Sequence, residues 1–150
     1  MTPEPIADPD HVVRYVKPTA VDGDGVVNGS EFQLRSNRSH EAGVSVNWLE
    51  CFRSKSKLEQ LNEVRRLCRL ATKKSGCFAE LNVGRTRNHL ARELSTLLFV
   101  KDPFGSNADY RSDPSHALIV GLPAGNAPEA ELIGDMIAEC IIHRYPAIID

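Results

Sequence analysis

His11-Val12-Val13-Arg14-Tyr15-Val16, Glu31-Phe32-Gln33-Leu34-Arg35 and Val44-Ser45-Val46-Asn47-Trp48 decide the fold class, because all three precede any helical pattern. The first run is β-branched and aromatic and is stopped by Lys17-Pro18. The other two alternate polar and apolar residues, as a half-buried strand does. Asp22-Gly23-Asp24-Gly25 between the first two reads as a turn, and residues 36–43 as a polar loop. Strands joined without intervening helices favour antiparallel pairing with helices packed on one face of the sheet.

Downstream, Ser56 and Glu59 form a capping box. Leu58, Leu61, Val64, Cys68 and Ala71 then recur on one helical face, with Lys73, Lys74 and Gly76 marking the predicted C-terminal end. A strand is predicted at 77–83 and a shorter helix at about 86–94. Leu97–Val100 and Ala117–Leu122 read as buried strands flanking a long loop, Asp102 to Pro114. A last helix begins near Asn126 and ends at Tyr145-Pro146. Residues 1–10, rich in proline and acids, are expected to be a disordered tail. The order strand, strand, strand, helix, strand, helix, strand, strand, helix lacks the regular alternation of a doubly wound fold. It predicts a single α+β domain over 11–150, with a mixed or largely antiparallel sheet and about three helices.

The 150 residues are 41% hydrophobic and 25% charged, a globular composition that excludes a disordered or fibrous chain. No apolar run reaches a membrane span, and Met1 to Asp10 has no apolar signal-peptide core. Cys51, Cys68, Cys77 and Cys140 are widely spaced, with no CxxC, and read as reduced thiols of a cytoplasmic protein.

Charge is unevenly distributed behind a net of -2. Residues 1–34 carry two bases and six acids, residues 53–92 eleven bases and three acids, and residues 93–150 three bases and nine acids. Arg65, Arg66, Arg69 and Lys73 lie off the apolar stripe of the first helix and form a candidate docking face for phosphates or an acidic protein. The alternative is a solvated face offset by the acidic last helix beside it. A pI of about 6.2 argues against a dedicated nucleic-acid binder.

Motifs for specific chemistry are sparse. Asp22-Gly23-Asp24-Gly25 lacks the later ligands of a calcium loop, with Val26 and Gln33 in their places. The five histidines have no metal-ligand spacing, so no metal site is predicted. There is no P-loop, GxSxG or GxGxxG, so no cofactor is assigned. His116, at the mouth of an apolar strand after Ser112-Asp113-Pro114-Ser115, is a candidate general base with Asp113 as its orienter. Arg14 and Arg35 form a candidate clamp for a carboxylate or phosphate if their strands pair. Each of these residues also has a plain structural role open to it, as a loop cap or an outer-face ion pair.

His11–Tyr15, Phe32–Arg35, Val44–Glu50 and Ser115–Gly121 together resemble a class of small uncharacterised bacterial proteins. That resemblance implies a bacterial origin and membership of a multi-component system, and it transfers no catalytic residue. The leading expectation is a non-catalytic accessory or adaptor protein acting through protein contacts, possible homo-oligomer formation included. The alternatives are a small enzyme acting on a phosphorylated or nucleotide substrate through His116, and a weak nucleic-acid binder using the basic helix.

Overall fold

The computed structural model describes residues 3–35, 42–70 and 72–149. Its strands are β1 (His11–Val16), β2 (Val44–Trp48), β3 (Cys77–Asn82), β4 (Leu98–Lys101), β5 (His116–Val120) and β6 (His143–Pro146), and its helices α1 (Lys57–Leu67), α2 (Val83–Leu90) and α3 (Ala130–Ala138). The strands form one sheet in the order β4-β5-β2-β1-β3-β6, every neighbouring pair antiparallel. The chain is therefore α+β.

Period-2 alternation sends successive side chains to opposite faces, and here both faces are covered. Val12, Val16, Val44, Val46, Leu81 and Ile119 pack against Ile133 and Ile137 of α3 and Leu90 at the end of α2. Val13 and Phe78 face the other way, onto Leu61 and Val64 of α1. The expectation that all helices share one face is thus corrected: α1 lies across the sheet from α3. The acidic last helix consequently does not lie beside the basic one.

Several predicted boundaries move. The second expected strand is absent: residues 29–32 form a 3-10 turn whose Ser30 N–H is capped by the Asn28 side chain. Phe32 docks there, fully buried, because Gly29 and Gly134 let the turn approach α3 backbone to backbone. The capping box at Ser56 and Glu59 does start α1, but the helix stops at Leu67, where Cys68 turns to ψ 129°. Ala71 and most of the 36–43 loop lie outside the described residues. The last helix ends at Ala138, and His143–Pro146 becomes the edge strand β6.

Of residues 1–10, expected to be disordered, residues 4–6 lie along the outer edge of β4, and Asp8 O and Asp10 O accept from the N–H groups of Gly84 and Val83 at the start of α2. Ile6 N–H donates to Phe99 O at 2.8 Å, Lys101 N–H donates to Glu4 O at 2.8 Å, and Ile6 is buried. Proline cannot donate to a ladder but is tolerated on an edge, so a Pro-rich segment can still cap a sheet. Asp10 is buried too, accepting from Trp48 Nε1 at 2.9 Å.

Candidate functional site

β1 and β2 pair only at Val12–Trp48 and Val13–Asn47, then part. Arg14 spans the gap, donating from Nε to Glu31 O at 3.0 Å and from Nη1 to Ser45 O at 2.9 Å. Beyond the split, on the α1 face, α1 no longer covers the sheet. The connection from β4 to β5 does so instead, leaving a cavity of ≈ 180 Å³ walled by Tyr15, Asn47, Cys68, Arg69, Phe104 and His116.

His116 is held from several sides. Its Nδ1 lies 2.8 Å from Asp102 O and 3.2 Å from Asp102 Oδ2. Both neighbours are acceptors, so the neutral ring carries its proton on Nδ1 and leaves the Nε2 lone pair outward from this contact. The ring stacks on Phe104, centroids 3.7 Å apart and planes 20° from parallel. Among the described residues Nε2 has no hydrogen-bond partner.

The expected orienter, Asp113, does something else. It is buried, and its carboxylate accepts from Ser115 N–H at 3.0 Å, Ser115 Oγ at 2.6 Å and Asn47 Nδ2 at 3.0 Å. A buried carboxylate with this many donors is a structural tie, and it fixes the loop against β2. Asp102 orients His116 in its place. Pairing of β4 with β5 carries Lys101 opposite Ala117 and so Asp102 alongside His116, which a hairpin register drawn through the two apolar runs would have found.

Arg69, expected on a solvent-facing helix stripe, lies past the end of α1 and grips the 102–114 connection. Its Nη2 donates to Gly105 O at 2.7 Å and Arg111 O at 3.2 Å. Its guanidinium carbon lies 4.4 Å from the Phe104 ring centre and 5.1 Å from that of Tyr110. Its Nε is buried without a hydrogen-bond partner, so the ring faces are what the buried part of the cation meets.

The rest of the basic set disperses. Arg65 donates from Nε and Nη2 to Pro146 O, Arg66 pairs with Glu63 at 2.7 Å, and Lys73 is exposed beyond α1, its backbone N–H on Tyr15 Oη. Burial lowers the Arg65 pKa, whereas the bond to Glu63 raises that of Arg66. These residues do not form one helical docking face. Arg14 and Arg35 do share a groove, although not by strand pairing, and it adjoins the His116 cavity rather than forming part of it.

Sequence reasoning missed a second constellation altogether. Glu80 of β3 is buried on the α1 face, where its carboxylate accepts from Tyr145 Oη at 2.6 Å and Lys57 Nζ at 2.8 Å. His11 Nε2 lies 3.9 Å from it, and His11 Nδ1 lies 2.7 Å from Glu50. Burial, followed by the bond to Glu80, raises the Tyr145 pKa strongly. The cysteines are free, and burial is the main cause that pushes each of the four thiols up. No cluster of metal-ligating side chains occurs among the described residues, and no helix there is long and apolar enough to cross a membrane.

The chain matches no protein-family model, no curated protein and no solved structure. The functional argument therefore rests on the geometry of the cavity.

Proposed function

We propose that the protein binds a compact polar ligand in the cavity between the end of α1 and the β4–β5 connection, and that His116 takes a proton from it. The observation that carries this reading is the state of His116: a ring stacked on Phe104, its Nδ1 engaged by Asp102, and its Nε2 without a hydrogen-bond partner among the described residues, beside an enclosed space. A base needs a fixed tautomer and a free lone pair within reach of the ligand, and this arrangement supplies both. Arg69 adds a cationic wall opposite a ligand that becomes more negative as the proton leaves, while the carboxylate of Asp113, which also lines the cavity, is engaged by Ser115 and Asn47.

The accessory-protein reading draws less support. Of the basic face that could serve it as a docking surface, Arg65 and Arg69 are instead engaged with backbone carbonyls of this chain.

The test is an NMR titration with small neutral and acidic fragments, phenol and acetate among them. Amide shifts should concentrate at Asn47, Cys68 and the residues next to His116, and His116→Gln should weaken acidic fragments most. Shifts scattered over the surface, or no saturable binding by any fragment, would remove the cavity from consideration.

A further inference from the structure

We infer that the ligand of the cavity is a small cyclic imide, a single ring whose N–H stands between two carbonyls. The inference rests on the reading of His116 given above and adds the class of compound that His116 deprotonates.

Strand register fixes the floor of the cavity. β2 pairs with β5 so that Asn47 lies opposite His116 and Ser45 opposite Leu118. Paired residues and alternate residues share a face, so Ser45, Asn47 and His116 present their side chains to the same side, and all three line the cavity. Asn47 is tied down there, donating from Nδ2 to Asp113 Oδ2 at 3.0 Å and to Ser115 Oγ at 2.9 Å. Ser45 and His116 are diagonal neighbours, ~7–8 Å apart by sheet geometry, a span that one hydrogen-bonded ring bridges. Cys68, Arg69, Leu70 and Phe104 close the other side.

The hydrogen-bonding groups left over select the class. His116 Nε2 offers a lone pair, while the Ser45 hydroxyl and Arg69 Nη1 offer protons. None of these groups has a hydrogen-bond partner among the described residues. The complementary ligand carries a donor flanked by acceptors, which is the pattern of an imide N–H with its two carbonyls. A carboxylic acid has already lost its proton at neutral pH and has none to give His116. A phenol presents a single oxygen to all of these groups. An imide arrives neutral, and its N–H is acidic because both carbonyls share the charge left behind. Transfer of that proton to Nε2 gives an imidazolium and an imide anion, and the donors of Ser45 and Arg69 are there to meet the charge on its oxygens. Return of the proton restores both partners, so the step needs no further reactant.

Size limits the ligand to one ring. At ≈ 180 Å³ the cavity is smaller than the ~300 Å³ at which pockets begin to enclose drug-sized molecules.

The experiment titrates the full chain with uracil, 1-methyluracil, 3-methyluracil and phenol, following amide shifts by NMR. Uracil and 1-methyluracil keep the imide N–H, whereas 3-methyluracil carries the same added methyl but blocks it. The first two should shift Asn47, Cys68 and the residues next to His116. The third should bind at least about tenfold more weakly, the effect of leaving one buried acceptor without its donor. Ser45→Ala should weaken uracil several-fold and leave phenol, which has no second oxygen, unchanged. Ser45 is exposed, and an unaltered melting midpoint checks that the variant folds. Equal affinities for 1-methyluracil and 3-methyluracil, or binding of phenol where uracil does not bind, overturn the imide while leaving the cavity reading intact. If no fragment shifts the cavity residues, both readings fall together.

Discussion

Replacing Tyr145 by Phe removes one hydroxyl and tests the buried Glu80 network directly. In the native protein Tyr145 Oη donates to Glu80 Oε1 at 2.6 Å, and Glu80 is 1% exposed, so the bond is short, charge-assisted and shielded. Loss of such a bond costs about 1.5–3 kcal/mol, and Lys57 is left as the main partner of the carboxylate. At pH 7, urea unfolding followed by circular dichroism should therefore place Tyr145→Phe about 2 kcal/mol below the native protein. The difference should shrink in alkali. The folded-state pKa of Tyr145 is raised above the value of ~10 that an unfolded tyrosine has. Its contribution is thus fully present below pH ~10 and is lost as pH rises from there towards the folded-state value. The loss is at most about 1.4 kcal/mol per pH unit, less to the extent that solvent screens the half-buried ring. The phenylalanine variant has no such loss, so the gap between the two proteins should narrow between about pH 10 and pH 11, by at most about 1.4 kcal/mol. A gap of the same size at pH 7 and pH 11, or a variant as stable as the native protein at pH 7, would refute the reasoning.

Asp113→Ala should free the β4–β5 connection, because Ser115 and Asn47 lose their buried acceptor; trypsin should then cut after Arg111 several times faster, and an unchanged rate would return Asp113 to a different role. Gly134→Ala would place a Cβ 2.5 Å from Gly29 O and 2.9 Å from Gln33 Cγ. Overpacking of this kind costs about 1–3 kcal/mol, seen as a melting midpoint several degrees lower. Because burial raises the pKa of each of the four thiols, labelling by a thiol reagent at pH 7 should be slow and should accelerate on unfolding; rapid reaction of any one cysteine in the native state would contradict this.

What was legible in the sequence is what is decided within a few residues. The β-branched run His11–Val16, the alternation at Val44–Trp48 and the capping box at Ser56 appear where their patterns placed them. The turn at Asp22–Gly25 forms as well: Asp22 Oδ1 accepts from the N–H groups of Asp24 and Val26, and Gly25 takes φ +79°. Side-chain to backbone bonds and period-2 alternation need no distant partner, so local sequence settles them.

The remainder depended on contacts far apart in the chain. Glu31–Arg35 alternates like a strand, yet Phe32 gains more by docking on α3 beside Gly134 than by pairing in the sheet. The stretch after Leu67 keeps a helical apolar period, but Arg69 is drawn to the carbonyls of Gly105 and Arg111, so its charge serves a loop rather than a helix face. His116 stood out in the sequence, whereas its orienter did not, because Asp102 reaches it only through the register of β4 on β5. Glu80 lies in the predicted 77–83 strand with no local signal to mark it; the covering of both sheet faces is what buried it and gathered Lys57 and Tyr145 around it. Local propensity fixes elements, and the low dielectric and close packing of the assembled interior then decide which polar groups must find one another.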